Sequence, residues 1–571
     1  MNPAQLLSHF DRINEAPDAI PRLRRFVLDL AVRGKLVEQD PKDEPTSELL
    51  KRIQAEKTRL VKAGKIRTPR ELETSDEEDA PFPLPAGWAW CRLSEVGAII
   101  GGGTPPSGDL DNFTDGGSGV AWLTPADLGK RAELYVSHGA RDLTHQGLCS
   151  SSATLMPKGS VLFTSRAPIG YTAIASNEVS TNQGFKSVVP YILDCNLYIA
   201  VYFRAFAKWI DGKASGTTFR EVSGKIVGNL PFPLPPLAEQ QRIVAKVDEL
   251  MALCDRLEAA QTERESRRDR LAAASLQRMN NGVDPDAFRN HTRFYFNHLP
   301  RLTTRHKHIK QLRQTILNLA VRGQLVPQDP NDEPASELLK RIEVEKSRLA
   351  KEGTLTRQKL ASSERIELLI DCPVNWQSVN FIDVCNLVTS GSRGWAEFYS
   401  DAGPKFIRAQ NIRFGRLRLE DLACVSLPKK TEGTRTQVSK GDLLVVITGA
   451  GVTNPALLDH ELGEAYVSQH VALIKPTATS LSRWLLLCLM APVGARAELV
   501  ECAYGAGKPG LNLDNIRFLR IPLPPLGEQH RIVTKMDELM GLCDRLEAQL
   551  TTTQTESRRL LEAVLYEALS A

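Results

Sequence analysis

The chain has 571 residues, 42% of them hydrophobic and 25% charged, with a formal net charge of +4. That length exceeds what one hydrophobic core sustains, so two or more domains are expected, and no apolar run approaches the roughly 20 residues that span a bilayer. So weak a charge balance leaves nucleic acid open as a partner, since what matters is whether Lys and Arg gather on one face.

The opening stretch MNPAQLLSHFDRINEAPDAIPRLRR lacks the apolar segment of a signal peptide, and the expectation is a cytoplasmic protein. The ten cysteines form no C-x-x-C pair and stand at no zinc spacing. They read as reduced thiols, and no metal is implied.

Residues 1–80 read as a helical hairpin followed by an acidic linker. A helix runs from about Pro21 to Val37, a turn passes through Asp40-Pro41 and Asp43-Glu44-Pro45, and a second helix starts at Ser47, whose hydroxyl suits an N-cap. Asp76, Glu77, Glu78 and Asp79 lie in a run with the composition of a solvated linker rather than a metal site. Residues 81–237 read as a mixed α/β globule. Its β-branched runs, such as Gly159 to Ser165 and Tyr171 to Ala175, are separated by Gly, Pro, Asn and Ser clusters. The run GGGTPPSG from Gly101 follows a possible strand, but Pro105 and Pro106 deny it the helix whose N-terminus would hold a cofactor phosphate, so it reads as a loop.

Residues 238–279 read as one long helix. Pro231, Pro233, Pro235 and Pro236 forbid a helix upstream, while Ile243, Val247, Leu250, Cys254 and Leu257 step by 4 and 3, the seam of a coiled coil. Cys254 reads as a small apolar member of that seam. Polar Gln261, Arg264 and Arg268 then occupy it, which predicts a frayed or bent middle. Residues 280–310 are rich in His, Arg and aromatics, break both periodicities and read as a linker. Its basic end, Arg301 to Lys310, is open to two readings, a solvated charge run or a phosphate contact.

The second half repeats the first. LAVRGKLVEQDPKDEPTSELLKRI from Leu30 returns 289 residues later from Leu319 with 20 of 24 positions identical, and PLPPLAEQQRIVAKVDELMALCDRLEA from Pro233 returns at the same offset from Pro522 with 22 of 27 identical. This places a second hairpin at 311–370, a second globule at 371–526 and a C-terminal coiled-coil helix at 527–571, with Cys543 in the place of Cys254. Between the repeated blocks the halves share only short phrases, such as Trp88 beside Trp376 and KGSVLFTS beside KGDLLVVIT, whose Leu443 to Thr448 reads as a strand. The frame is constant and its contents change.

Catalytic equipment is missing from the sequence. GAGKPG at Gly505 places Pro509 where a phosphate-binding loop needs Ser or Thr, so Gly505 and Gly507 read as turn glycines. NPAL at Asn454 is a poor match to the tetrapeptide that holds a flipped base in an amino-methyltransferase, and no nuclease-like acidic cluster stands out.

The proline-led PLPPLAEQQRIV helices, the LPAGW and CPVNW openings and the duplicated architecture resemble the specificity subunit of a Type I restriction-modification system across nearly the whole chain. The long hairpins resemble those of the longer members. The resemblance implies an α+β fold of two mixed α/β target-recognition domains in tandem, joined by long helices that form an antiparallel coiled coil. It implies a non-catalytic subunit in which each domain reads one half of a bipartite, non-palindromic site in double-stranded DNA, and the helices space the domains. Expected partners are two methyltransferase subunits and the restriction and translocase subunits. S-adenosylmethionine, ATP and Mg are expected on those partners, with no cofactor in this chain. Two other classes remain to be separated from this one: a coiled-coil scaffold or adaptor with protein-binding inserts, and a self-sufficient enzyme.

Base edges are read by Arg on guanine and by Asn or Gln on adenine, with sequence-independent phosphate contacts in support. In the first globule FTSRAPIG offers Arg166, STNQGFKS offers Asn182, Gln183 and Lys186, and Arg220 suits a phosphate. In the second, KFIRAQNIRFGRLR gathers Arg408, Gln410, Asn411, Arg413 and Arg416, VSQHVALI adds Gln469 and His470, and Lys508 is placed like Arg220. A strand with a wet face would show the same alternation of Arg413, Arg416 and Arg418 with Phe and Leu.

Overall fold

The computed structural model describes residues 16, 18–64, 81–129, 133–166, 168–215, 220–280, 284–352, 370–391, 393–428, 433–504 and 509–570. Asp76 to Asp79, Gly505, Gly507 and Lys508 fall outside them. The chain forms two compact units, one of Met1–Glu263 with Gln554–Ala571, the other of Arg264–Thr553.

The first unit opens with the hairpin α1 (Ala19–Val32) and α2 (Thr46–Lys62). The expected cap at Ser47 is not used: the helix starts one residue earlier after Pro45, and Thr46 Oγ1 donates instead to the carbonyls of Gly87 (2.6 Å) and Leu234 (3.2 Å). The strands of this unit include β1 (Ala89–Arg92), β2 (Gly97–Gly101), β3 (Trp122–Leu123), β4 (Tyr135–Val136), β5 (Val161–Phe163), β6 (Thr172–Ala175), β7 (Ser180–Thr181), β8 (Lys186–Pro190) and β9 (Pro231–Leu234). The main sheet has the order β2-β8-β5-β6-β4, antiparallel except for the β4/β6 pair. Its core packs on α3 (Asn196–Gly212), whose Tyr198, Tyr202 and Phe203 are fully buried with Phe163 and Phe232. β1 and β9 form a separate two-stranded ribbon. The long helix α4 (Leu237–Asn280) follows and is continuous; the polar residues at its middle do not break it.

Residues 280–310, expected to be a linker, are largely helical. They contain α5 (Pro285–Asn297), capped by the Asp284 carboxylate, a short helix Leu299–Leu302 and the start of α6 (His306–Val321). Tyr295, Leu299 and Leu302 are buried in one cluster with Ala272, Leu276 and Met279 of α4 and with Ile309, Leu312 and Ile316. Within its basic end, Arg305 and Lys307 pair with Asp269.

The second unit repeats the plan with α7 (Ala335–Lys351) and the strands β10 (Gln377–Asn380), β11 (Cys385–Ser390), β12 (Tyr399–Ile407), β13 (Ile412–Arg413), β14 (Arg416–Leu417), β15 (Leu443–Val446), β16 (Pro455–Leu457), β17 (Ala465–Val467), β18 (Val471–Pro476) and β19 (Arg520–Leu523). An antiparallel sheet β11-β18-β15-β16 packs on α8 (Ser482–Met490), β10 and β19 form the ribbon, and α9 (Leu526–Ser570) is the second long helix. Cys254 and Cys543 are both buried.

One knot joins hairpin, ribbon and long helix in each unit, and it accounts for the repeated words of the sequence. In the first, Glu239 in the opening turn of α4 accepts from Trp88 Nε1 at 2.9 Å and Gln39 Nε2 at 3.2 Å, and Arg242 clasps Asp43 at 2.7 and 3.1 Å. In the second, Glu528 accepts from Trp376 Nε1 at 3.0 Å and from Gln328, and Arg531 clasps Asp332 at 2.6 and 3.0 Å. Gly34 (φ +67°) and Gly323 (φ +68°) end the first helix of each hairpin, where a Cβ would sit 2.3 Å from Pro85 Cγ or 2.6 Å from Pro373 Cγ. Only glycine satisfies both the left-handed backbone and that approach.

Candidate nucleic-acid interface

In each unit a short parallel pair leads by one turn into a strand of the main sheet. β3 pairs with β7 and β12 with β17. After β7, Asn182 N donates to Leu123 O at 2.9 Å and Phe185 N to Asn182 O; after β17, Ser468 N donates to Ile407 O at 2.9 Å and Val471 N to Ser468 O. Gln183 and Gln469 therefore occupy the same place on two copies of one scaffold. The segment after β5 is tied by Val222 N to Ser165 O at 3.0 Å, and the one after β15 by Leu511 N to Ile447 O at 2.9 Å, which makes Arg166 and Thr448 counterparts. By the same register Lys186 on β8 corresponds to Ala472 on β18.

The first unit brings most of its candidates together. Lys186 Nζ lies 2.9 Å from Glu221 Oε1 and Arg166 Nη1 lies 3.9 Å from Glu221 Oε2, while Gln183, exposed at the tip of the turn, takes the hydroxyl of Thr104. Asn182 spends Oδ1 on Gly184 N at 2.9 Å, holding the turn in shape. Arg220 turns aside to the carbonyl of Asp211 at 2.6 Å. The group is two cations ordered by one carboxylate, next to an amide that can both donate and accept.

In the second unit, Arg408 follows β12 directly, beside the Ser468 turn. Its N–H donates to Asn411 Oδ1 at 2.9 Å, its Nη2 donates to Asp421 O at 3.1 Å, and its guanidinium lies 5.8 Å from the centre of the Tyr399 ring. Asn411 is only 1% exposed and uses its amide nitrogen on Asp421 O as well, so it holds the loop and presents no edge to a base. Asp127 does the same for Thr124 in the first unit at 2.8 Å. Gln410 is exposed on this loop.

Arg413 and Arg416 face each other across the β13/β14 hairpin, both exposed, with Phe414 and Gly415 (φ +79°) at the tip. Arg496 stacks 5.1 Å from the Phe414 ring and holds that tip. Arg418 faces Asp421 at 3.4 Å instead. His470, also exposed, lies between Thr448 Oγ1 (2.6 Å from Nδ1) and Gln469 Nε2 (3.2 Å from Nε2).

Sequence reasoning missed Thr104, Glu221, Thr448 and Arg435, which reaches Thr389 and the carbonyl of Ser390. Thr448 was within reach, because KGSVLFTSR and KGDLLVVIT align it with Arg166. Among the described residues no cluster of His, Cys, Asp and Glu is arranged to hold a metal ion, and no helix is long and apolar enough to cross a membrane.

The scaffold is duplicated and the faces it presents are not. Residues 85–265 and 373–553 both match the family described as Type I restriction modification DNA specificity domain, and the chain belongs to that family. Over 565 residues it is 30% identical to the Type I restriction enzyme EcoAI specificity subunit of Escherichia coli, covering 95% of this chain and 93% of that protein. It is also 30% identical to the EcoEI specificity subunit of Escherichia coli, with 96% and 94% covered. The crystal structure of an HsdS subunit from Thermoanaerobacter tengcongensis is similar at 20% identity and TM-score 0.44, over 86% of this chain and 98% of that one. The role of the chain is DNA sequence specificity in a Type I restriction-modification system, and an adaptor with protein-binding inserts is not favoured.

Proposed function

We propose that the two turn faces are the readers, each contacting one half of a bipartite, non-palindromic site in double-stranded DNA, and that the chain carries no catalysis of its own. The observation that carries this reading is the pairing of unlike side chains at matched scaffold positions: Arg166 against Thr448, Asn182 against Ser468 and Lys186 against Ala472. Gln183 and Gln469 are alike, but Arg and Lys suit guanine or phosphate, whereas Thr448 and His470 suit other edges, so two copies of one frame read different bases. The long helices set the distance between half-sites as an antiparallel coiled coil and dock two methyltransferase subunits, which bring S-adenosylmethionine. Restriction and translocase subunits bring ATP and Mg. The assembly works in the cytoplasm.

The test is a map of methylated adenines in DNA from cells that carry the chain with its partners. Wild type gives a two-part motif with unlike halves. Arg166→Ala with Lys186→Ala relaxes one half and leaves the other as it was. A palindromic motif, or a change in both halves at once, sinks the reading.

A further inference from the structure

The last turns of each long helix are seated in the unit where the other long helix begins. Residues 264–280 of α4 fold with the second unit, and α9 from Gln554 onward folds with the first. The two seats occupy the same place on the 289-residue repeat, and the burial of the helices keeps that offset: Cys254 with Cys543, Ala272 with Leu561 and Ser275 with Val564 are all buried. Yet the parts of the seats are interchanged.

In the first unit the seat is small and its occupant large. Ala16 and Ala19 are buried against Leu561 and Val564, and Asp18 faces Arg558 Nε at 3.6 Å. In the second unit the corresponding seat residues are Arg305, Lys307 and His308, and the occupant offers Asp269, Ala272 and Ser275. Arg305 and Lys307 pair with Asp269, His308 Nε2 lies 2.7 Å from the same carboxylate, and Arg305 Nε reaches Glu265 at 3.3 Å. Size has changed sides, and so has charge.

The consequence follows from pairing like with like. The first seat with a 264–280 end would set Asp18 toward Asp269 and the two alanines toward Ala272 and Ser275, which combines repulsion with a void. The second seat with a 554–571 end would set Arg305 and Lys307 beside Arg558 and press His308 on Leu561 and Val564, which combines like charge with overpacking. The two observed pairings alone fit. The rest of the frame cannot discriminate in this way, because 22 of the 27 residues from Pro233 and from Pro522, which lead into and open the long helices, are identical.

We propose that the two seats are a selectivity code, by which each half accepts the helix end of the unlike half and refuses the like end offered by a second copy of this chain. The first half emerges from synthesis before the second exists, so during that interval the available competitor for its vacant seat is the 264–280 segment of a neighbouring chain. The interchange of size and charge is the feature of the repeat that bars this competitor.

The experiment uses the full chain in two differently tagged forms, co-expressed. Wild type yields no mixed species. Ala16→Arg with Asp18→Lys and Ala19→His gives the first seat the character of the second; the expected result is a lowered melting temperature and capture of one tag by the other. Adding Arg558→Asp, Leu561→Ala and Val564→Ser rebuilds a matched pair and restores both the single-copy state and the melting temperature. A seat variant that stays single-copy with wild-type melting overturns the proposal, as does a sixfold variant that recovers neither. Should the triple seat variant not fold, Asp18→Lys with and without Arg558→Asp is read the same way, and failure of the pair to recover what the single change loses overturns the proposal too.

Discussion

Trp88 donates its indole N–H to Glu239 at 2.9 Å, tying the entrance of the first reader to the opening turn of α4. Burial holds the Glu239 carboxyl above the ordinary range, while the hydrogen bonds from Trp88 and Gln39 pull it back down. Trp88→Phe keeps an aromatic side chain but a smaller one, and removes the donor, leaving a buried oxygen unsatisfied, so stability should fall by at least about 1–3 kcal/mol. In that background Glu239→Ala should cost less than it does in wild type. Thermal melts of the two single variants and the double variant check this, and strict additivity would count against the bond as the link.

Gly34→Ala and Gly323→Ala should each lower the melting temperature by the equivalent of more than about 1 kcal/mol, since the new methyl meets both a left-handed backbone and a proline ring. Gly64, with a similar φ of +66° but open space around it, is the control. Its alanine variant should lose less, by the size of the collision.

Arg413→Ala with Arg416→Ala should leave the fold intact, as both side chains are exposed on a two-residue turn. Binding of the assembled complex to its site should weaken. The slope of affinity against salt should flatten by about one for each phosphate these arginines had gripped, whereas removal of a hydrogen bond to a base edge should relax the second half-site and leave the slope alone. Affinity measured across a salt series on matched and mutated sites separates the two.

His308 gives the second unit a pH dependence. Its ring is held neutral down to about 4, first by burial, then by Arg305 and Lys307 at the start of its own helix, with Arg268 adding to them and Glu265 opposing from α4, and the neutral ring donates its Nε2–H to Asp269 at 2.7 Å. The unfolded chain takes up the proton near 6.5, so the folded state is favoured fully above that value and loses ground as pH falls from about 6.5 to about 4. His308→Gln should flatten the melting temperature across that window. An unchanged slope would mean that other groups set it.

The frame was the most legible part of the sequence. Prolines and a 4, 3 stepping placed both long helices to within a residue or two, because those signals are local and physical. The segment 280–310 was misread because Phe294, Phe296 and its basic residues masked a second instance of the same stepping, at Tyr295, Leu299 and Leu302, which carries its burial. The middle of α4 was expected to fray or bend at its polar seam residues; the helix is unbroken there, and Arg268 pairs with Glu265. The readers were harder. Arg413, Arg416 and Gln183 stand exposed, but Asn411 was a loop-holding residue in the composition of a base reader, and the difference lies in a hydrogen bond to Arg408 N that composition does not reveal. Ser47 failed as a cap for a similar reason: the carbonyls of Gly87 and Leu234 engage Thr46 and set where the helix begins.

The ribbon of β1 and β9 pairs Ala89 with Leu234 and Arg92 with Pro231, so the chain leaves the frame and returns to it side by side. β10 and β19 do the same from Gln377 with Leu523 to Asn380 with Arg520. At each doorway the covalent chain passes between the frame and the intervening 140 or so residues by one pair of adjacent ends, the geometry that tolerates domain insertion, while Val27, Leu28 and Ile243 of the frame share a core with Tyr198 and Phe203 of the reader. Each reader is thus a cassette, and genetic exchange between relatives with crossovers at these doorways can install a new specificity in one step while the Trp88 and Trp376 knots and both seats go unchanged.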